Sequence, residues 1–449
     1  MAENIREIAL DSLIEIMEHG QMCHVVTGET LKKYQYLDKK DRAFYSRLVQ
    51  GTIENAIYID YVIDTFSKTK VVKMKPFIRS LLRMSVYQIK YMDNVPDSAA
   101  CNESVKLAIK RGFKGLRGFV NGVLRNISRQ IESVKLPDKE KDLSLYLSVK
   151  YSMPQWIVQM WLDEYGENDT TLMLESFLTR HNITIRSLVG KGKEADLVKS
   201  LKEDGASVEP ANYLKEAFIL TKFDHISSLK AFKEGKIYVQ DESSMLVAHA
   251  AGIKKDDYII DVCAAPGGKC LHAAMLLDNT GFVDARDLTL GKVEKINENI
   301  KRCGYDNIKA KVWDALKKDE DIVGKADIVL ADLPCSGLGV IGQKADIKYK
   351  TSREDIRELA AIQRNILSVV KEYVKPGGVL IYSTCTVNEE ENLNNALWLN
   401  DDENFSLESL DEFIPDSLHN EDTKKGYLKL IPGKYDCDGF FIARFRRKG

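Results

Sequence analysis

Nowhere does this sequence approach the roughly 18 consecutive apolar residues of a membrane span. Its first twenty residues, MAENIREIALDSLIEIMEHG, carry charges through a helical pattern, with no apolar run of the kind that directs export. A soluble, cytoplasmic protein is expected. The eight cysteines include no Cys-x-x-Cys pair and no Cys/His group with zinc spacing, so free thiols and no metal are expected. An excess of one charge is missing as well, the net charge being −2, but the distribution is uneven. Between Ser67 and Arg129, fourteen Lys or Arg stand against three Asp or Glu. Two nucleotide signatures are absent. In the segment VCAAPGGKC, Cys263 stands where a P-loop needs its first Gly and Cys270 where it needs a hydroxyl, and there is no Gly-x-Gly-x-x-Gly.

At 449 residues the chain is long enough for several domains. Over residues 1–138 apolar positions recur at three- and four-residue intervals, as in IREIALDSLIEIM and IRSLLRMSVYQIKYM, which predicts an all-helical domain. Its last part, SVKLAIKRGFKGLRGFVNGVLRNISR, sets Lys110, Arg111, Lys114, Arg117 and Arg125 around two Gly-Phe pairs. Those cations suit a polyanion, or simply a solvated helix face. A charged stretch with Pro137 reads as a linker. Residues 139–234 begin with helical patterns and continue with short β-prone pieces, a small α+β unit. Residues 235–449 alternate apolar strand runs with helical stretches, which predicts a Rossmann-like, doubly wound parallel sheet with its ligand site at the carboxyl ends of the strands.

The first strand of that last domain, DYIID, runs into the glycine-bearing turn and then a helix, where backbone can approach a ligand closely. Asp287, at the tip of the next strand, can accept from ribose hydroxyls, and Asp314, near the tip of the third, is placed to meet an adenine amino group. A nucleoside ligand without phosphate features, met by carboxylates that suit a cation, points to S-adenosylmethionine. Two further strand runs end at thiols: ADIVLADLP before Cys335 and GGVLIYST before Cys385. A thiol beside a methyl donor serves alkylation at a carbon that is not itself nucleophilic, such as C5 of a pyrimidine. Addition of a thiolate at C6 makes C5 nucleophilic, and a second thiol can assist the elimination. Asp332 is placed to serve N3 of a cytosine, and Lys269 to orient Asp332 and favour a thiolate. Which cysteine does which stays open on these residues alone.

DVCAAPGGKC, DLPCSGLG and YSTCTVNEEEN, in that order, resemble the three motifs of the RNA cytosine-5 methyltransferases, and the likeness extends over essentially the whole chain. The N-terminal helices resemble the antitermination factor NusB, and the middle unit resembles the family's RNA-recognition module. The resemblance implies cofactor contacts at Cys263, Ala264, Ala265, Pro266, Gly267, Gly268, Lys269, Asp287, Asp314 and Asp332. It makes Cys385 the nucleophile that adds to C6 and Cys335 the thiol needed for release. It implies small-subunit ribosomal RNA as substrate, with C5 of cytosine 967 as the target. A monomer is expected. Arg180, Asn182 and Arg186 are the candidate RNA contacts of the middle unit. Ala345 and Tyr349 depart from the pattern, standing where relatives often carry Pro and Trp. The competing expectations are a methyltransferase for transfer RNA or another ribosomal site, a silent RNA-binding assembly factor, and a dithiol redox protein.

Overall fold

A computed structural model describes residues 4–179, 182–190 and 192–449. Contacts divide the chain into two units, Met1–Thr179 with Ile341–Lys350, and Arg180–Val340 with Thr351–Gly449.

The first unit is helical: α1 (Ile5–Met17), α2 (Cys23–Lys33), α3 (Lys39–Glu54), α4 (Ala56–Phe66), α5 (Pro76–Tyr91), α6 (Asp97–Lys110), α7 (Arg117–Gln130), α8 (Leu143–Lys150) and α9 (Gln155–Ser176). Local chemistry sets the helix starts. Asn4 caps α1 by accepting from the Arg6 and Glu7 amides, Asp38 caps α3, and Pro76 opens α5 at a position that needs no amide donor. The three- and four-residue spacing becomes a buried stripe on each helix, for example Val120, Val123, Leu124 and Ile127 on α7. Helices α8 and α9, which the sequence pattern assigns to the middle domain, group by contact with this unit, where the Ser152 hydroxyl accepts from the Ile57 amide at 3.0 Å. Ala345 joins the helical core, so one of the two departures from the family pattern packs here, far along the chain from its neighbours.

The second unit holds two sheets. The smaller has strands β1 (Ile183–Ser187), β2 (Ser207–Pro210), β3 (Ala217–Thr221) and β4 (Ile237–Val239), antiparallel in the order β2-β3-β1-β4. The larger has β5 (Tyr258–Asp261), β6 (Phe282–Asp287), β7 (Ile308–Val312), β8 (Ala326–Asp332), β9 (Val374–Thr384), β10 (Phe405–Leu407), β11 (Tyr427–Leu430) and β12 (Phe440–Arg447). Its order is β10-β12-β9-β8-β5-β6-β7, with β11 also on β12. Strands β5 to β9 are parallel, but β10, β11 and β12 pair antiparallel, so the expected parallel sheet is mixed at one end. Alternating side chains feed two cores on its two faces. Ile259, Leu330, Ile381 and Ile442 enter one, and Ile260, Val329, Leu380 and Phe441 the other. The chain leaves β5 toward β6 on one side and returns to β8 on the other, so the strand order reverses between β5 and β8. The loops that follow those two strands therefore border the crevice in which such folds bind ligands.

Candidate active site

The loop after β5 turns sharply into the helix Gly268–Leu276, with Gly267 at φ +116, a left-handed conformation that favours glycine. The Ala265–Pro266 bond is cis. Asp287, at the end of β6, accepts the Ala265 amide at 3.0 Å and pairs with Lys292 at 2.9 Å, so the acidic tip of one strand fixes the glycine loop of its neighbour. Asp314 lies two residues past β7, half-buried, its carboxylate accepting the Leu316 amide at 3.0 Å. Cys263 and Ala264 lie in the turn itself, and burial first, then the neighbouring Asp261 charge, raises the Cys263 thiol.

Lys269, in the first turn of that helix, donates to the Ser244 hydroxyl at 2.9 Å and forms an ion pair with Asp332, the last residue of β8, at 2.8 Å. Burial works to lower the Lys269 ammonium, but the Asp332 charge and hydrogen bond hold it above its ordinary range. Ser383 donates to the other Asp332 oxygen at 2.8 Å. Beneath this pair Asp261 is buried with neither carboxylate oxygen hydrogen-bonded among the described residues. Its carboxyl is pushed up to about 7, by desolvation first and then by the like charge of Asp332.

The parallel pairing of β8 with β9 places Asp332 beside Ser383 and brings the two thiols to one spot, with Cys335 Sγ 3.3 Å from Cys385 Sγ. Both are free thiols. The hydrogen bond with Cys385 and burial hold the Cys335 thiol well above the ordinary thiol range. The two loops are tied to each other through backbone. Leu333 N donates to Ser383 O at 3.0 Å and Gly339 N to Cys385 O at 3.0 Å, while Gly439 N donates to Gly339 O at 2.9 Å. A Cβ on Gly339 would sit 2.1 Å from Gly439 O, so only glycine permits that approach.

Glu391 clamps both loops and is a residue the motif reading passed over. Fully buried, it accepts from Ser336 N at 2.8 Å, Ser336 Oγ at 2.5 Å, Asn388 Nδ2 at 2.6 Å and Gln363 Nε2 at 3.1 Å. Burial raises its carboxyl in spite of those donors. The signal was present in the acidic run NEEEN, but which of three glutamates turns inward depends on β9 and the helix Arg353–Val370.

The RNA-contact candidates separate. Lys110, Arg111, Lys114, Arg117 and Arg125 are all exposed, and of these Lys110 pairs with Glu7 at 2.6 Å and Arg111 with Glu7 and Asp11 at 3.0 and 2.6 Å. Asn182 is exposed at the start of β1, and Arg180 lies outside the described residues. Arg186 needs correction. It is 0% exposed, donating to Gln240 Oε1 and, at 3.1 Å, to Gly268 O, so it braces the start of the cofactor helix from inside. Nearby, Glu216, His249 and His272 bring ligand-type atoms within 4.8 Å. Burial and then the Arg186 charge push His272 down to about 3, and a cation placed there would meet the same guanidinium.

Fold and site together define a class: an S-adenosylmethionine-dependent methyltransferase with a thiol pair at the cofactor edge of its sheet. Carboxylates at strand tips and a glycine turn at a helix start fit a cationic nucleoside ligand. Family models match in three stretches: the NusB family at residues 3–129, the RsmF/B-like ferredoxin-like domain at 153–227, and the 16S rRNA methyltransferase RsmB/F at 249–446. The probable ribosomal RNA small subunit methyltransferase B of Bacillus subtilis is 37% identical, covering 99% of each chain. The Synechocystis protein with the same description is 31% identical over 98% of this chain and 99% of its own. Among solved structures, a methyltransferase homologue from Pyrococcus horikoshii is 27% identical with a TM-score of 0.58, covering 68% of this chain and 99% of its own. The chain belongs to the RsmB/F family of 16S rRNA methyltransferases.

Proposed function

We propose that the protein methylates C5 of a cytosine in small-subunit ribosomal RNA, cytosine 967 being the expected target, through a covalent bond between Cys385 Sγ and C6. The observation that carries this reading is the pair of thiols 3.3 Å apart beside the Lys269–Asp332 ion pair. When bound, S-adenosylmethionine supplies an electrophilic methyl group at the crevice between β5 and β8.

The cytosine enters unstacked, as a base must if its ring carbons are to be reached. The Cys385 thiolate, favoured by the Lys269 charge, forms a bond to C6, and the displaced electron pair makes C5 nucleophilic while charge develops toward N3. Asp332 faces N3. Its carboxylate is paired with the Lys269 ammonium at 2.8 Å, so the proton that N3 needs can pass from Lys269 through Asp332. C5 takes the methyl group and then loses its proton to a base, and the electron pair of that bond expels the Cys385 thiolate. Cys335 Sγ, 3.3 Å from Cys385 Sγ, is within reach of the departing thiolate, and the hydrogen bond with Cys385 and burial raise its thiol, which suits giving a proton at release better than attack. Lys114, Arg117 and Arg125, with Asn182, serve the RNA backbone.

The test is transfer of tritiated methyl from S-adenosylmethionine to small-subunit ribosomal RNA. Wild type should place label in 5-methylcytosine, Cys385→Ala should place none, and Cys335→Ala should accumulate a protein–RNA adduct that survives denaturing electrophoresis. A wild-type protein that binds the RNA and methylates no cytosine in it overturns the reading in favour of a silent binding factor.

A further inference from the structure

The chain between the two cysteines does not remain in the catalytic unit. After Cys335 it is held at Gly339, and then Ile341–Lys350 packs within the helical unit before the chain returns at Thr351. The segment is anchored there by polar side chains. Lys348 is 2% exposed, and its Nζ donates to Glu54 O, at the end of α3, at 2.7 Å and to Ser152 O, between α8 and α9, at 2.6 Å. The Tyr349 hydroxyl donates to Ile53 O at 2.8 Å. Asp346, 3% exposed, accepts the Cys23 amide at 2.9 Å and pairs at 2.7 Å with Lys350, which also donates to Gln21 O at 2.6 Å.

A passive connector would bury apolar groups or none. Burying an amine costs several kcal/mol unless its donors are met, and its ammonium form costs more. Burial indeed pushes Lys348 down to about 7 against the opposing charge of Glu54. Two carbonyls meet the two N–H donors that a neutral amine keeps, and one of them is at the carbonyl end of α3, where a helix attracts positive charge. Lys348 therefore sets where along the helices the segment sits, since sliding by one residue would leave a buried amine and two carbonyls unmet. Only residues 336–340 separate this anchored segment from Cys335, a span of at most about 20 Å.

We propose that Ile341–Lys350 is a positioning strap, with Lys348, Tyr349 and Asp346 as positioning residues, through which the N-terminal helical domain holds the Cys335 loop in place for product release. The helical domain then contributes to turnover in addition to any part in RNA affinity. This rests on the reading of Cys335 as the release thiol, and it predicts a signature that general destabilisation does not produce. In full-length Lys348→Met, RNA affinity and the first round of methyl transfer should stay near wild type, steady-state kcat should fall about tenfold or more, and the denaturation-resistant protein–RNA adduct should build up as in Cys335→Ala. Tyr349→Phe, which removes the hydroxyl that donates to Ile53 O, should show the same signature more weakly.

The inference is overturned if folded Lys348→Met turns over at the wild-type rate without adduct, or if its only defect is a raised KM for RNA. Should Lys348→Met fail to fold, Tyr349→Phe decides by the same two readouts. If wild type itself methylates no cytosine, the underlying reading fails and takes this one with it. If wild type and Cys335→Ala behave as expected and the strap variants match wild type, only the strap is refuted.

Discussion

The loops that carry Cys335 and Cys385 and the basic stretch around Lys114 and Arg125 are both assigned to RNA chemistry, and they are built in opposite ways. In the loops, Glu391, Ser336, Asn388 and Gln363 satisfy one another in the interior, and Gly339 is pinned on both sides by backbone bonds. In the basic stretch Lys114, Arg117 and Arg125 project into water, and Cβ atoms added at Gly115, Gly118 and Gly122 would meet nothing within 4 Å. Bond making at C5 needs atoms held to fractions of an ångström, which only a closed hydrogen-bond network supplies. Backbone phosphates need positive charge within a Debye length and tolerate loose side chains.

That contrast can be broken by substitution, starting where the effect should be largest. Cys385→Ala should lower methyl transfer at least about a thousandfold while leaving melting temperature and RNA affinity close to wild type. A residual rate within tenfold of wild type would mean that the thiol does not form the bond to C6. Glu391→Ala should cost about 3 kcal/mol in unfolding free energy, because several buried donors lose their acceptor, and should reduce kcat as the two loops separate. Glu391→Gln keeps acceptor capacity for some of them and should lose less on both measures.

Arg186→Ala sharpens the comparison, since it removes a cation that is not on the surface. Denaturant unfolding should show a loss of about 2 kcal/mol, and the dependence of RNA binding on salt should be unchanged. Lys114→Ala, Arg117→Ala and Arg125→Ala should do the reverse, each lowering the slope of log affinity against log salt by about 1 with little change in melting temperature. If Arg186→Ala alone altered that slope, its burial would not describe the protein in solution.

Asp261 supplies a test by pH. Its folded-state value of about 7 lies above the ordinary 3.8, so the folded protein keeps a proton there that the unfolded chain gives up. The stability it contributes is complete below about 3.8 and is lost as pH rises through about 7. Unfolding free energy of wild type relative to Asp261→Asn should therefore fall by about 1.4 kcal/mol per pH unit across that window and level off above it. Matched urea titrations at four or five pH values would measure it, and a flat difference would show Asp261 ionised throughout.

Much of the candidate site was legible because it follows from local pattern. Each site residue on the sheet stands at the end of a strand run, and parallel strands that start together finish together, so Asp332, Cys335 and Cys385 meet at one edge once the order β5-β8-β9 forms. The helical character of the N-terminal domain was legible for a similar reason, since a spacing of 3.6 needs no partner to be seen. What pairing sets was less visible. The antiparallel end of the large sheet depends on β12 returning beside β9, and nothing in FFIARFRR states its direction.

By itself, then, the sequence determined the chemistry available to this protein: two thiols, a lysine and strand-tip carboxylates in an order and setting that fit methyl transfer to a pyrimidine. The tertiary structure alone decided which side chains are free to act. It turned Arg186 inward, set Lys110 and Arg111 beside Glu7 and Asp11 at the surface, selected Glu391 as the clamp, and placed Ala345, Asp346 and Lys348 among helices of the N-terminal part of the chain. Local periodicity records which face of an element is apolar. It does not record what packs against that face, and burial and charge pairing are settled there.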